Sequence, residues 1–130
     1  MTRLPGGLAG PEAGASVRRP NRLWFLALGV TLVVQLVVLY SPKAPAGPPI
    51  TGLDKLVHIA IFAMPVLAAL MAGLSAPWVL GILALHAPVS ELIQHFELPL
   101  RSGDPFDVMA DLAGLALGSL AYLVWNRRQP

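Results

Sequence analysis

The stretch from Leu23 to Tyr40 reads LWFLALGVTLVVQLVVLY, with Thr31 and Gln35 as its only polar members. A helix rises about 1.5 Å per residue, so a run of roughly 20 apolar residues crosses a hydrocarbon core of about 30 Å. Three further apolar runs follow, Leu53 to Leu74, Ala76 to Phe96 and Pro105 to Trp125. The expected fold is an all-α membrane protein, a bundle of four transmembrane helices. Composition agrees. Hydrophobic residues make up 55% of the 130-residue chain, charged residues 12%, and mean hydropathy is +0.67, whereas soluble domains carry about 25% charged residues. No cysteine is present, which excludes disulfides, thiolate nucleophiles and cysteine metal sites.

The segment Met1 to Asn21 is rich in Gly and Pro and lacks apolar periodicity, so it is expected to be disordered. A small-residue triplet, Ala44-Pro-Ala46, follows the first run and resembles a signal cleavage site. That run is longer than the roughly 7–15 residues of a signal core and follows a long leader, which favours an uncleaved anchor. The expected organisation is a disordered basic cytoplasmic tail over residues 1–22 and a four-helix transmembrane domain over residues 23–126. Arg3, Arg18, Arg19 and Arg22 precede the first span, and Arg127 and Arg128 follow the last. Basic residues mark cytoplasmic ends, so both termini are expected in the cytoplasm. The segments Ser41 to Thr51 and Glu97 to Asp104 then face outward, with six of the seven acidic residues in that half. The sequence pI of about 9.5 reflects basic ends near anionic lipid, and no nucleic-acid partner is expected.

The polar residues at the outer ends carry the chemistry. Thr51 followed by Asp54 resembles a capping box, and Asp104-Pro105 with Asp107 reads as an N-cap, a first-turn proline and a first-turn acid. Capping does not reach His58, Glu91 or Asp111, which lie one to two turns inside their spans. Intramembrane ionisable groups are functional or pair with one another. Asp54 and His58 share one helix face, Glu91, Gln94 and His95 a second, and Asp107, Asp111, Gly114 and Gly118 a third. The three stripes are expected to converge. His58, Glu91 and Asp107 are the candidates for proton transfer. Asp54, Lys55, Gln94, Arg101, Asp104 and Asp111 are candidate binding residues, with Lys55 and Arg101 suited to an anionic group. The alternative is a charge-paired network that only orients the bundle.

His58, His95, Glu91, Asp107 and Asp111 have zinc-ligand chemistry but no local HExxH spacing, so no metal is assigned. No nucleophile elbow, P-loop or dinucleotide fingerprint is present, and no cofactor is expected. His86, alone at mid-span, reads as an interhelical hydrogen-bonding residue. Gly114 and Gly118 form a small-xxx-small face that admits a packing partner helix. Pro65 and Pro88 lie inside spans, where each frees a carbonyl and favours a kink beside the polar stripes.

Asp54-Lys55-Leu-Val-His58, Ser90-Glu91-Leu-Ile-Gln94, Arg101-Ser-Gly-Asp104-Pro-Phe-Asp107-Val, and Gly114 with Gly118 together resemble the signature of the VanZ-like membrane protein family. The resemblance covers Asp54 to Gly118. It departs at Asp111, where the family pattern usually has Asn. The resemblance implies a small multi-pass protein of the bacterial cell membrane, related to a protein that raises resistance to the glycopeptide teicoplanin. Three functions follow from the residues and the resemblance together. One is an outer-leaflet site, binding or catalytic, for a membrane lipid or cell-wall precursor with an anionic group. Another is a noncatalytic accessory protein whose polar network is structural and whose glycine face recruits a partner. The last is a small channel or transporter with His86 in its path.

Overall fold

A computed structural model describes residues 22–42, 52–98 and 103–128. They form α1 (Arg22–Tyr40), α2 (Leu53–Met71), α3 (Ala76–Glu97) and α4 (Pro105–Arg127). All four are long and apolar enough to cross a membrane, and the chain is all-helical over the described residues. The expected tail over residues 1–22 lies outside the described residues except for Arg22, which is already helical. Apolar side chains point outward along the whole bundle, Leu23, Val37, Trp78, Ile82 and Met109 among them, each more than half exposed. Water tolerates no such continuous apolar surface, whereas lipid requires it.

Two helix ends differ from the sequence expectation. α2 stops at Met71 rather than Leu74. Gly73 adopts φ 88°, its N–H donates to the Leu70 carbonyl, and the Leu74 N–H donates to the Ala69 carbonyl. This is the Schellman closure, which a glycine free of a Cβ penalty permits. Thr51, the first residue of the expected capping box, lies outside the described residues. The residue at the cap of α2 is Gly52, at φ 85° and without a side-chain cap bond, so Asp54 falls in the first turn as an exposed acid rather than as the box's third residue. The expected cap of α4 is present: Asp104 Oδ1 accepts from the Phe106 N–H at 2.9 Å, and Pro105 occupies the first turn.

The α2–α4 seam is the principal packing surface, and the two helices run parallel. A Cβ on Gly114 would stand 2.5 Å from the Ile59 carbonyl oxygen and 2.9 Å from Phe62 Cβ; one on Gly118 would stand 3.0 Å from Val66 Cβ. The glycine face on which a partner helix was expected is therefore filled by α2 of the same chain. Phe62, Val66, Leu39 and Ala87 are fully buried and tie α1, α2 and α3 into one core. α2 and α3 run through Pro65 and Pro88 as continuous helices. This core leaves the chemistry-bearing residues together at one end of the bundle, where α2 and α4 begin and α3 ends.

Candidate functional site

α2 brings Lys55 and His58 to this end, one turn apart on one face, and α4 meets them with Asp107 and Asp111, also one turn apart. Because the helices are parallel and in close register, the pairs match rung by rung. Lys55 Nζ reaches Asp107 Oδ1, Asp104 Oδ2 at 2.5 Å and Asp54 Oδ2 at 3.1 Å. One turn deeper, His58 Nδ1 lies 2.8 Å from Asp111 Oδ1, and His58 Nε2 lies 3.7 Å from Asp107 Oδ2. Lys55 contributes the one charge that holds three carboxylates at the mouth. The Lys55 ammonium, with help from the Phe106 N–H, holds the Asp104 carboxyl below the usual carboxylate range.

α3 closes the third side. Glu91 Oε2 accepts from the Asp104 N–H at 2.9 Å, so a side chain near the end of α3 fixes the cap of α4. Gly103 permits that approach, since a Cβ there would stand 2.8 Å from the Glu91 carbonyl oxygen. Glu91, Asp107, Asp111, His58 and Gln94 are all buried, Asp111 completely. Among the described residues, Glu91 Oε1, Asp111 Oδ2 and Gln94 Nε2 have no hydrogen-bond partner. Buried polar atoms are nearly always satisfied, and those that are not mark strain or a ligand position. One ligand atom each from His58, Glu91 and Asp107 lie within 4.8 Å of one another, an arrangement with the chemistry to hold a cation.

Beside this cluster, between α3 and α4, opens a cleft of about 500 Å³ lined by Pro88, Glu91, Leu92, His95, Phe96, Gly103, Asp104, Pro105 and Val108. Its walls are apolar except where Glu91, His95 and Asp104 enter. Pro88 forms part of the wall.

The convergence of the three stripes therefore holds for His58, Glu91, Asp107 and Asp111, with Asp104 bonded to Glu91, Lys55 at the mouth and Asp54 on the rim; Gln94 is buried on the same face of α3 as Glu91. One stripe residue falls outside it. His95 shares the α3 stripe by spacing but faces the cleft, edge-on to the Phe96 ring at 4.7 Å. Arg101 lies outside the described residues; among those residues Glu91 is held by the Asp104 N–H. His86 makes the interhelical hydrogen bond expected of it: the Tyr40 hydroxyl and His86 Nε2 are 2.9 Å apart, linking α1 to α3. Sequence reading missed that Tyr40 is the partner, and that Gln35 is fully buried with neither amide atom bonded among the described residues. Each residue was visible as a polar interruption of an apolar run, but nothing in the spacing says which helix it faces. Comparison with protein-family models, curated proteins and solved structures finds no match to the chain.

Proposed function

We propose that the protein is a VanZ-like multi-pass protein of the bacterial cell membrane, with both termini in the cytoplasm. In this reading its polar pocket faces outward and holds the headgroup of an envelope lipid or lipid-linked glycan precursor. The observation that carries this is the cleft between α3 and α4, whose apolar walls suit an acyl or prenyl chain and whose polar end is Glu91 and Asp104. An amphiphile seated there presents its headgroup to buried carboxylates and His58, the groups able to exchange a proton with it. Lys55 is already shared by three carboxylates, so attraction of an anionic headgroup falls to Arg101, two residues before Gly103 on the cleft wall. Contribution to glycopeptide tolerance belongs to the same proposal, because glycopeptides act outside the cytoplasmic membrane.

Glu91→Gln keeps shape and hydrogen-bonding capacity but removes the charge. Expression of the wild type is expected to raise teicoplanin tolerance and to retain a defined lipid through purification in mild detergent, identified by native mass spectrometry. Glu91→Gln should accumulate normally yet lose both. Equal lipid retention and equal tolerance in the two proteins would overturn the proposal. For orientation, a cysteine introduced at position 43 or 101 should react with an impermeant reagent in intact cells, and one at position 3 only after permeabilisation; the reverse pattern would reject the outward pocket.

A second reading has its own support. The Lys55 cluster, the His58–Asp111 pair and the Glu91 cap bond join α2, α3 and α4, which is what a noncatalytic accessory protein would need to fix its shape. Under it, Glu91→Gln lowers protein abundance instead of leaving it unchanged. The channel reading is weakest, since His86 is engaged by Tyr40.

A further inference from the structure

We propose that His58, Glu91 and Asp107 form a binding site for one divalent transition-metal cation of the manganese or zinc kind. The inference holds whatever occupies the cleft. All three side chains are buried, and one ligand atom from each lies within 4.8 Å of the others. Ligand atoms bonded at about 2.0–2.2 Å to a shared cation stand roughly 3–4.4 Å apart. A few tenths of an ångström of side-chain closure convert this arrangement into a coordination shell.

The histidine geometry points to a cation between the ligands. An ionised Asp111 is only an acceptor, so the contact at 2.8 Å places the N–H of a neutral His58 ring on Nδ1 and the lone pair on Nε2. That lone pair faces Asp107 Oδ2 at 3.7 Å. Two electron-rich atoms then oppose each other at a separation too long for a hydrogen bond and suited to two ligands of one metal. A carboxylate that grips the far nitrogen of a histidine is the recurring support behind metal-bound imidazoles, fixing tautomer and ring orientation. Asp111, fully buried, holds that place.

Glu91 supplies an independent indication. It is only 6% exposed, and its Oε1 has no partner among the described residues, although Oε2 is held by the Asp104 N–H. Charge leads the same way. Three carboxylates are buried here, those of Glu91, Asp107 and Asp111, and among the described residues Lys55, the permanently charged cation at this end, reaches only Asp107 of the three. An uncompensated buried carboxylate is costly, and a divalent cation offsets two. One imidazole and two carboxylates without a thiolate suit manganese or zinc rather than a soft metal. Three protein ligands leave at least one position for water or a ligand oxygen.

The test uses the full chain purified in detergent, stripped with a chelator and titrated with Mn²⁺ alone, followed by electron paramagnetic resonance. One equivalent is expected to bind, and pulsed spectra should show modulation from an imidazole nitrogen. Asp111→Asn should weaken binding about 10- to 100-fold, the usual effect of losing such a supporting carboxylate. His58→Gln and Glu91→Gln should weaken it further, while Glu97→Gln, an exposed acid at the end of α3, leaves it unchanged. Absence of stoichiometric binding would overturn the proposal, as would binding that survives His58→Gln and Glu91→Gln. If His58→Gln does not fold, the wild-type spectrum decides: bound Mn²⁺ without nitrogen modulation also overturns it.

Discussion

His58→Leu should destabilise the folded protein by about 3 kcal/mol, the upper end for losing a hydrogen bond to a buried charged group. Asp111 is completely buried, its Oδ1 meets His58 at 2.8 Å, and its Oδ2 has no partner among the described residues. Without His58 the carboxyl group is left in an apolar seam with nothing to receive its charge. Lys55 cannot substitute, because it is held one turn away by Asp54, Asp104 and Asp107. The double change His58→Leu with Asp111→Leu removes both polar groups and should recover most of the loss, since apolar replacements of a buried pair are often neutral or better. The quantity to measure is the reversible unfolding free energy in detergent for the two single variants and the double. A double variant no more stable than His58→Leu would mean that the pair is not the source of the loss.

Gly114→Ala should cost about 2–3 kcal/mol, the upper part of the range for overpacking. The added Cβ would stand 2.5 Å from the Ile59 carbonyl oxygen, 2.9 Å from Phe62 Cβ and 3.2 Å from the Ala63 nitrogen. Two of those three atoms belong to backbone, and a helix backbone cannot turn aside as a side chain can. α4 must move away from α2, and the ladder of Lys55 and His58 against Asp107 and Asp111 stretches with it. Gly118→Ala should act similarly through the Ala63 carbonyl and Val66. Gly29 and Gly81 provide the control, for a Cβ at either meets nothing within 4 Å, and alanine there should be neutral or slightly stabilising. If Gly114→Ala proves as stable as Gly29→Ala, the two helices are not in close contact at this point.

The four helices were legible because an apolar run of spanning length admits little else, and the start of α4 was legible because Asp104 and Pro105 sit where helix starts prefer them. Gly73 would have placed the end of α2 correctly had its left-handed preference been weighed against the apolarity of Leu74. The gathering of His58, Glu91 and Asp111 could be foreseen from cost alone: each was too deep in its span to be solvated, so each needed another, whereas Asp107 could equally have been a first-turn acid. Periodicity then over-reached at His95. Residues 91, 94 and 95 lie on one side of a helix, but the boundary between bundle interior and cleft passes between Gln94 and His95, and that boundary is set by the approach of α4 at Gly103. The glycine face was read as one that admits another helix, and the helix seated on it is α2 of the same chain. Spacing says that a helix can approach there, whereas which helix does so depends on the register of α2 against α4.

The pairing of α2 with α4 also sets a problem in time. Lys55 and His58 find their partners 49 to 53 residues further along the chain. At a synthesis rate of about 5–20 residues per second, α2 emerges several seconds before the acids that neutralise it exist. During that interval a lysine and a histidine sit at the edge of a nascent span, and the bare backbone of Ile59 and Ala63 awaits the glycines of α4. The chain thus has to be shielded by the insertion machinery or kept at the membrane surface until its last helix arrives. A ribosome stalled between α3 and α4 leaves a product that membrane proteases can recognise by its unpaired charge.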